Sequence, residues 1–174
     1  MTRKKAVLYA VTLLIAVMFQ AFWNKLGGLF GACPDTVAAC AVAIASFAGY
    51  WSLLYAAVAG LLMDAQLSVS FGFHILLYTA AAWFATYNAR GKTGAMAAGA
   101  AAAGAGYACV RWLLWIAGAF LRGYRVDFYA GMLKSMLPAA VLTALIAAVT
   151  ALLMQWIGKS ALLRTHERRT MKYR

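Results

Sequence analysis

The sequence predicts an all-α integral membrane protein of six transmembrane helices with both termini in the cytoplasm. Three observations predict it. The chain is 66% hydrophobic and only 11% charged, too apolar for an ordinary soluble domain of 174 residues. Its apolar residues come in unbroken runs of about the length that crosses a bilayer, 17 to 25 residues. Its basic residues gather at the ends of those runs and in the C-terminal tail. That pattern belongs to membrane topology rather than nucleic-acid binding, even at a net charge of +12.

The first span runs over about 6–23, behind Arg3-Lys4-Lys5. It is longer than a signal-peptide h-region and no small-x-small site follows, so an uncleaved span is expected. Phe30-Gly31-Ala32-Cys33 is only faintly like a lipoprotein box, and Asn24, Lys25 and two glycines separate it from the apolar run. The segment from Asn24 to Pro34 has turn chemistry. Between Asp35 and Met63 no charge appears, and Gly49-Tyr50-Trp51-Ser52 divides the stretch into spans at 34–50 and 51–67. The fourth span covers 71–89, closed by Arg90-Gly91-Lys92, and the fifth covers 95–121. A polar loop from Arg122 to Lys134 carries Asp127. The sixth span covers 136–157, with Pro138 in its first turn, where proline is tolerated. Residues 158–174 form a basic cytoplasmic tail, and 1–174 make a single membrane domain.

Parity supports the count. With an even number of spans, eleven basic residues fall on the side of the termini and only Lys25, Arg122, Arg125 and Lys134 on the other, a clear positive-inside bias. The Ala/Gly run from Ala95 to Gly106 reads as a close-packing helix, because small residues let backbones approach where lipid is as apolar as leucine. Cys33, Cys40 and Cys109 fit neither a disulfide framework nor a metal motif, and read as small core residues.

Chemistry must come from few groups, since the chain has only four acidic residues and two histidines. Ala56, Gly60 and Asp64 lie at i, i+4 and i+8, one stripe of a helix. Two readings stand: a binding or coupling site, or a packing seam whose carboxylate caps a neighbouring helix or meets a cation. Asp64 falls about 20 Å along its span and Arg111 about 24 Å along its own, which matches their depths. An Asp64–Arg111 ion pair is one expectation. Arg111 snorkelling to an outer belt of Trp112 and Trp115 is the other. His74 opens the fourth span and reads as a hydrogen-bonded structural residue, with no ligand partner at metal spacing. His166 sits in the tail. Ser68 and Ser70 satisfy backbone groups in the turn before Gly72, which permits a tight approach or a positive φ. No nucleophile–base pair, phosphate loop or HExxH is present, so no enzyme, cofactor or metal is expected.

Pro34-Asp35, then Gly60-Leu61-x-x-Asp64, Gly72 after seven residues, and an apolar span closed by Arg90-Gly91 resemble the bacterial rod shape-determining protein MreD family. The resemblance covers most of the chain, with its motifs between residues 34 and 92. Ala56 and Ser68 stand where that family often has glycine, both still small. The resemblance implies a non-enzymatic subunit of the cell-elongation machinery in the bacterial plasma (inner) membrane. It would work with MreC, with the RodA glycosyltransferase and a class B penicillin-binding transpeptidase that make peptidoglycan, and indirectly with MreB. Partner-binding or packing candidates are then Pro34, Asp35, Ala56, Gly60, Asp64, Gly72, His74 and Arg111. The family's fold is related to the substrate-binding subunits of energy-coupling factor transporters. That supplies the alternative, a vitamin-type binding subunit, for which the polar residues Gln66, Ser68, Ser70 and His74 are sparse.

Overall fold

A computed structural model of the chain describes residues 3–26, 32–48, 51–67, 72–88, 93–125 and 127–159. Ser68, Ser70, the Arg90-Gly91-Lys92 turn and the tail with His166 lie outside the described residues. The described residues are helical and contain no β-strand. In chain order they form α1 (Arg3–Leu26), α2 (Thr36–Ala48), α3 (Trp51–Leu67), α4 (Phe73–Asn88), α5 (Thr93–Leu121), α6 (Phe128–Gly131), a π-helical turn (Met132–Met136) and α7 (Leu137–Lys159).

Among the described residues, three segments are long and apolar enough to cross a membrane: 6–26 in α1, 95–121 in α5, and the continuous helix 128–157. Their outward faces carry Leu14, Phe19, Val110, Leu114, Val141 and Leu152, all exposed. Apolar side chains exposed in such continuous bands belong against lipid.

α2 lies at the centre. Between Val37 and Ala45 every residue is at most 8% exposed. With 13 residues it spans about 20 Å, short of the hydrocarbon core of a bilayer. A helix that is apolar all round, with no charge, buries every face. Here α1, α3, α4, α5 and α7 all pack against it. Alanine predominates in the buried cluster around it, and it lets backbones come close and gain dispersion energy without losing side-chain entropy. The Ala/Gly run of α5 does the same toward α7. A Cβ added to Gly104 would stand 3.3 Å from the Ala147 Cβ and 3.4 Å from the Thr143 carbonyl.

α5 stops in a Schellman motif. Gly123 takes φ +76°, its N–H bonds the Phe120 carbonyl, and the Tyr124 N–H bonds that of Ala119.

The last helix departs from the sequence expectation. Residues 128–134 are not loop, and Pro138 is not in a first turn. The helix starts at Phe128, capped by Asp127, whose carboxylate accepts from the Ala130 N–H at 3.2 Å. Pro138 then lies well inside it. Proline offers no N–H to the carbonyl four residues back, and its ring crowds that carbonyl. The π turn just before it, where the Leu137 N–H reaches back to the Met132 carbonyl, opens the ladder and absorbs the mismatch.

Candidate functional site

Two buried carboxylates organise one end of the bundle. Asp64, 4% exposed, sits near the C-terminal end of α3. The stripe beneath it is a seam against α4. Ala56 is fully buried, and a Cβ on Gly60 would fall 2.5 Å from the Ile75 Cα and 2.7 Å from the His74 carbonyl carbon. Both are backbone atoms, so only glycine fits this crossing. The seam delivers Asp64 to the start of α4, where a helix leaves orphan N–H groups. Gly72, at the cap position, has φ +96° and no side chain to cap with. Asp64 caps in its place. Its carboxylate accepts from the Gly72 N–H at 2.8 Å, the His74 N–H at 3.0 Å and the Ile75 N–H at 3.4 Å. His74 Nδ1 lies 2.7 Å from Oδ1. The α4 macrodipole favours a negative charge at this point.

Asp35, 2% exposed, is the N-cap of α2, and its Oδ1 accepts from the Ala38 N–H at 2.9 Å. The rest of its capacity binds other helices. The Tyr78 phenol of α4 donates at 2.8 Å, and the Tyr107 phenol of α5 at 2.6 Å. Arg111 Nη1, also on α5, donates to Oδ2 at 3.2 Å. The Asp35 backbone N–H bonds the Thr143 hydroxyl of α7 at 3.2 Å. Pro34, fully buried beside it, fixes the entry of the chain into the bundle. The next residue, Thr36, ties α1 in: its N–H donates to Gln20 Oε1 at 2.8 Å and its hydroxyl to the Ala16 carbonyl at 3.0 Å.

The Asp64–Arg111 pair expected from matched depth does not form. Arg111 pairs with Asp35, and Asp64 pairs with His74. Both carboxylates lie at the same end of the bundle, so depth alone does not discriminate between them. The two joints are nonetheless continuous. The His74 ring meets Tyr78 edge-on at 5.8 Å, and Tyr78 meets Tyr107 at 5.3 Å. A polar and aromatic seam thus runs from Asp64 through His74, Tyr78, Asp35 and Tyr107 to Arg111. Tyr78, Tyr107, Thr143, Gln20 and Thr36 were not singled out by sequence. Their signal was present: hydroxyls and amides inside apolar runs require partners.

Beside this seam, between α5 and the last helix, lies a cavity of about 360 Å³. Asp35, Tyr107 and Thr143 form its polar floor, Trp112 and Trp115 one wall, and Ser135 and Met136 of the π turn another. Cys33 also lines it, and the three cysteines are all free thiols.

Compared with protein-family models, curated proteins and solved structures, the chain shows no match.

Proposed function

We propose that this chain is a non-enzymatic, multi-pass subunit of the bacterial cell-elongation machinery in the plasma membrane. It crosses the membrane six times with both ends in the cytoplasm. Its task is to hold MreC beside the RodA and class B penicillin-binding peptidoglycan synthase, with MreB coupled indirectly.

The observation that carries this reading is the use made of the motif residues. Pro34-Asp35 and Gly60-x-x-x-Asp64 with Gly72 are the positions that bear the resemblance, and they are also the positions that build the two polar joints. Both carboxylates spend their lone pairs on helix caps and on hydroxyl, guanidinium or imidazole partners within the chain. Groups committed in this way hold helices in register. Catalysis instead requires a reactive group poised toward substrate with a companion at hydrogen-bond distance. A rigid bundle end with an apolar outer surface suits a protein that works by docking to other membrane helices.

Depletion in the source bacterium tests the proposal. Rods should round into spheres as the protein is lost, and MreC should no longer co-purify with the synthase. Normal rods with loss of uptake of a single vitamin would replace this reading with a transporter binding subunit. A cytoplasm-only reporter fused after Arg174 tests the topology, and an inactive fusion overturns the even span count.

A further inference from the structure

The two sides of the Asp35–Arg111 pair are unequally satisfied. An ionised carboxylate has about four lone-pair sites. Those of Asp35 meet the Ala38 N–H, two phenols and Arg111, with Tyr78 within reach of both oxygens. Its side chain is 2% exposed. The acceptor is full and covered. The guanidinium is neither. Of the five N–H donors such a group carries, one goes to Asp35, and the side chain remains 39% exposed on the cavity. Even with the neighbouring Tyr107 phenol as a second partner, donors of this group remain without a partner among the described residues.

The cavity therefore presents guanidinium donors to whatever enters, with the Asp35 carboxylate behind them. Its surroundings point the same way. The segment that leads from α5 into its π-helical wall carries Arg122, Arg125 and Lys134 against the single acid Asp127. Lys134 adjoins Ser135, which lines the cavity. The remaining walls are apolar: Trp112, Trp115, Met136 and Ala139. Trp115 is 63% exposed, so the apolar side opens outward rather than into the bundle. The size, 360 Å³, falls at the small end of ligand sites, about 300 to 1,000 Å³. One wall is a π turn, a distortion found often at functional sites.

We infer that this cavity binds an anionic amphiphile, with a phosphate or carboxylate head on Arg111 and an apolar chain along Trp112, Trp115 and Ala139. A cation would oppose Arg111, and a plain hydrocarbon would leave the guanidinium donors unpaired in an apolar setting, which is costly. A head group of oxygen acceptors supplies charge-assisted hydrogen bonds of the kind arginine favours. The inference stands on the cavity and goes beyond the assembly role, because it holds whether or not the chain serves in cell elongation.

Native mass spectrometry of the full chain in non-ionic detergent tests it. The probes are phosphatidylglycerol, phosphatidylcholine of identical chains, dodecyl phosphate and dodecanol. Phosphatidylglycerol should be retained about tenfold better than phosphatidylcholine, and dodecyl phosphate about tenfold better than dodecanol. Retention of both anionic probes assigns the site to an anionic head on any chain. Retention of phosphatidylglycerol alone assigns it to a bilayer lipid. Ala139→Phe fills the cavity from its apolar wall and should cut anionic retention about tenfold. Trp115→Ala removes the outer wall and should also weaken it, which keeps the test open if Ala139→Phe fails to fold. Equal retention of charged and neutral probes, or undiminished anionic retention in folded variants, overturns the inference.

Discussion

The two buried carboxylates do different work. Asp64 binds backbone N–H groups and one imidazole, all within residues eight to eleven positions along the chain. It closes a hairpin of two consecutive helices. Asp35 binds side chains that stand 43, 72 and 76 positions away, and its N–H binds one 108 away. It joins α2 to α4, α5 and α7. One carboxylate completes local structure and the other specifies the tertiary arrangement. In a medium without water to solvate a stray polar group, both must be saturated, but only the second must wait for the whole bundle to assemble.

Asp35→Ala should therefore be the most damaging single change. It removes the α2 cap, orphans two phenols and leaves Arg111 unpaired. Each buried donor left without its acceptor costs about 1–3 kcal/mol, so unfolding in detergent should shift by about 3 kcal/mol. The double variant Asp35→Ala with Arg111→Met should recover part of the loss, because it removes the half-buried guanidinium that has lost its carboxylate. If the double variant is no better than the single, the pair is not what makes Asp35 costly to lose.

This contrast also explains what the sequence disclosed. The helix boundaries follow from apolar runs and turn residues. The stripe of Ala56, Gly60 and Asp64 follows from helical periodicity, and its contact with the next helix is close in sequence. The Asp35 joint is assembled from distant residues, and no spacing rule connects Tyr78, Tyr107, Arg111 and Thr143. Depth arithmetic brought Arg111 to the right level and to the wrong acid. The start of the last helix was obscured because Lys134 and Pro138 resemble loop residues. Asp127 followed by Phe128, Tyr129 and Ala130 was the helix-start signal. The centrality of α2 is consistent with a segment that has no polar face, but the apolar runs on either side of it conceal which one the others surround.

Gly60→Ala ranks next. The added methyl meets the Ile75 and His74 backbone, which cannot yield as a side-chain end can. Overpacking of this kind costs about 1–3 kcal/mol. Thermal unfolding should show a loss of that size, and α3 and α4 should separate enough to weaken the Asp64 cap. Gly60→Ala with unchanged stability would mean that the α3–α4 crossing is looser than described.

Asp64→Asn should cost less, about 1–2 kcal/mol, because asparagine still caps through its oxygen while its amide faces donors. The damage should stay local. Hydrogen exchange should quicken at His74, Ile75 and Leu76, while the amides of α2 and α7 keep their protection. Complex assembly should weaken if partners read this end of the bundle. Global loss of protection would erase the distinction between the local joint and the tertiary one.

The smallest effects come from two phenols that differ only in their partners. Tyr78 is fully buried and donates to Asp35, whereas the Tyr55 phenol is buried with no hydrogen-bond partner among the described residues. Removing a hydroxyl that makes a hydrogen bond in a membrane bundle costs about 0.6–2 kcal/mol. Removing an unpaired one relieves a desolvation penalty already present. Tyr78→Phe should therefore lower stability by about 1 kcal/mol, and Tyr55→Phe should leave it unchanged within about 0.5 kcal/mol or raise it. The two substitutions delete the same atom from the same residue type, so lost volume cannot account for a difference between them. Equal losses at both positions would show that Tyr55 has found a partner, and that hydroxyl satisfaction in this bundle extends beyond the seam around Asp35.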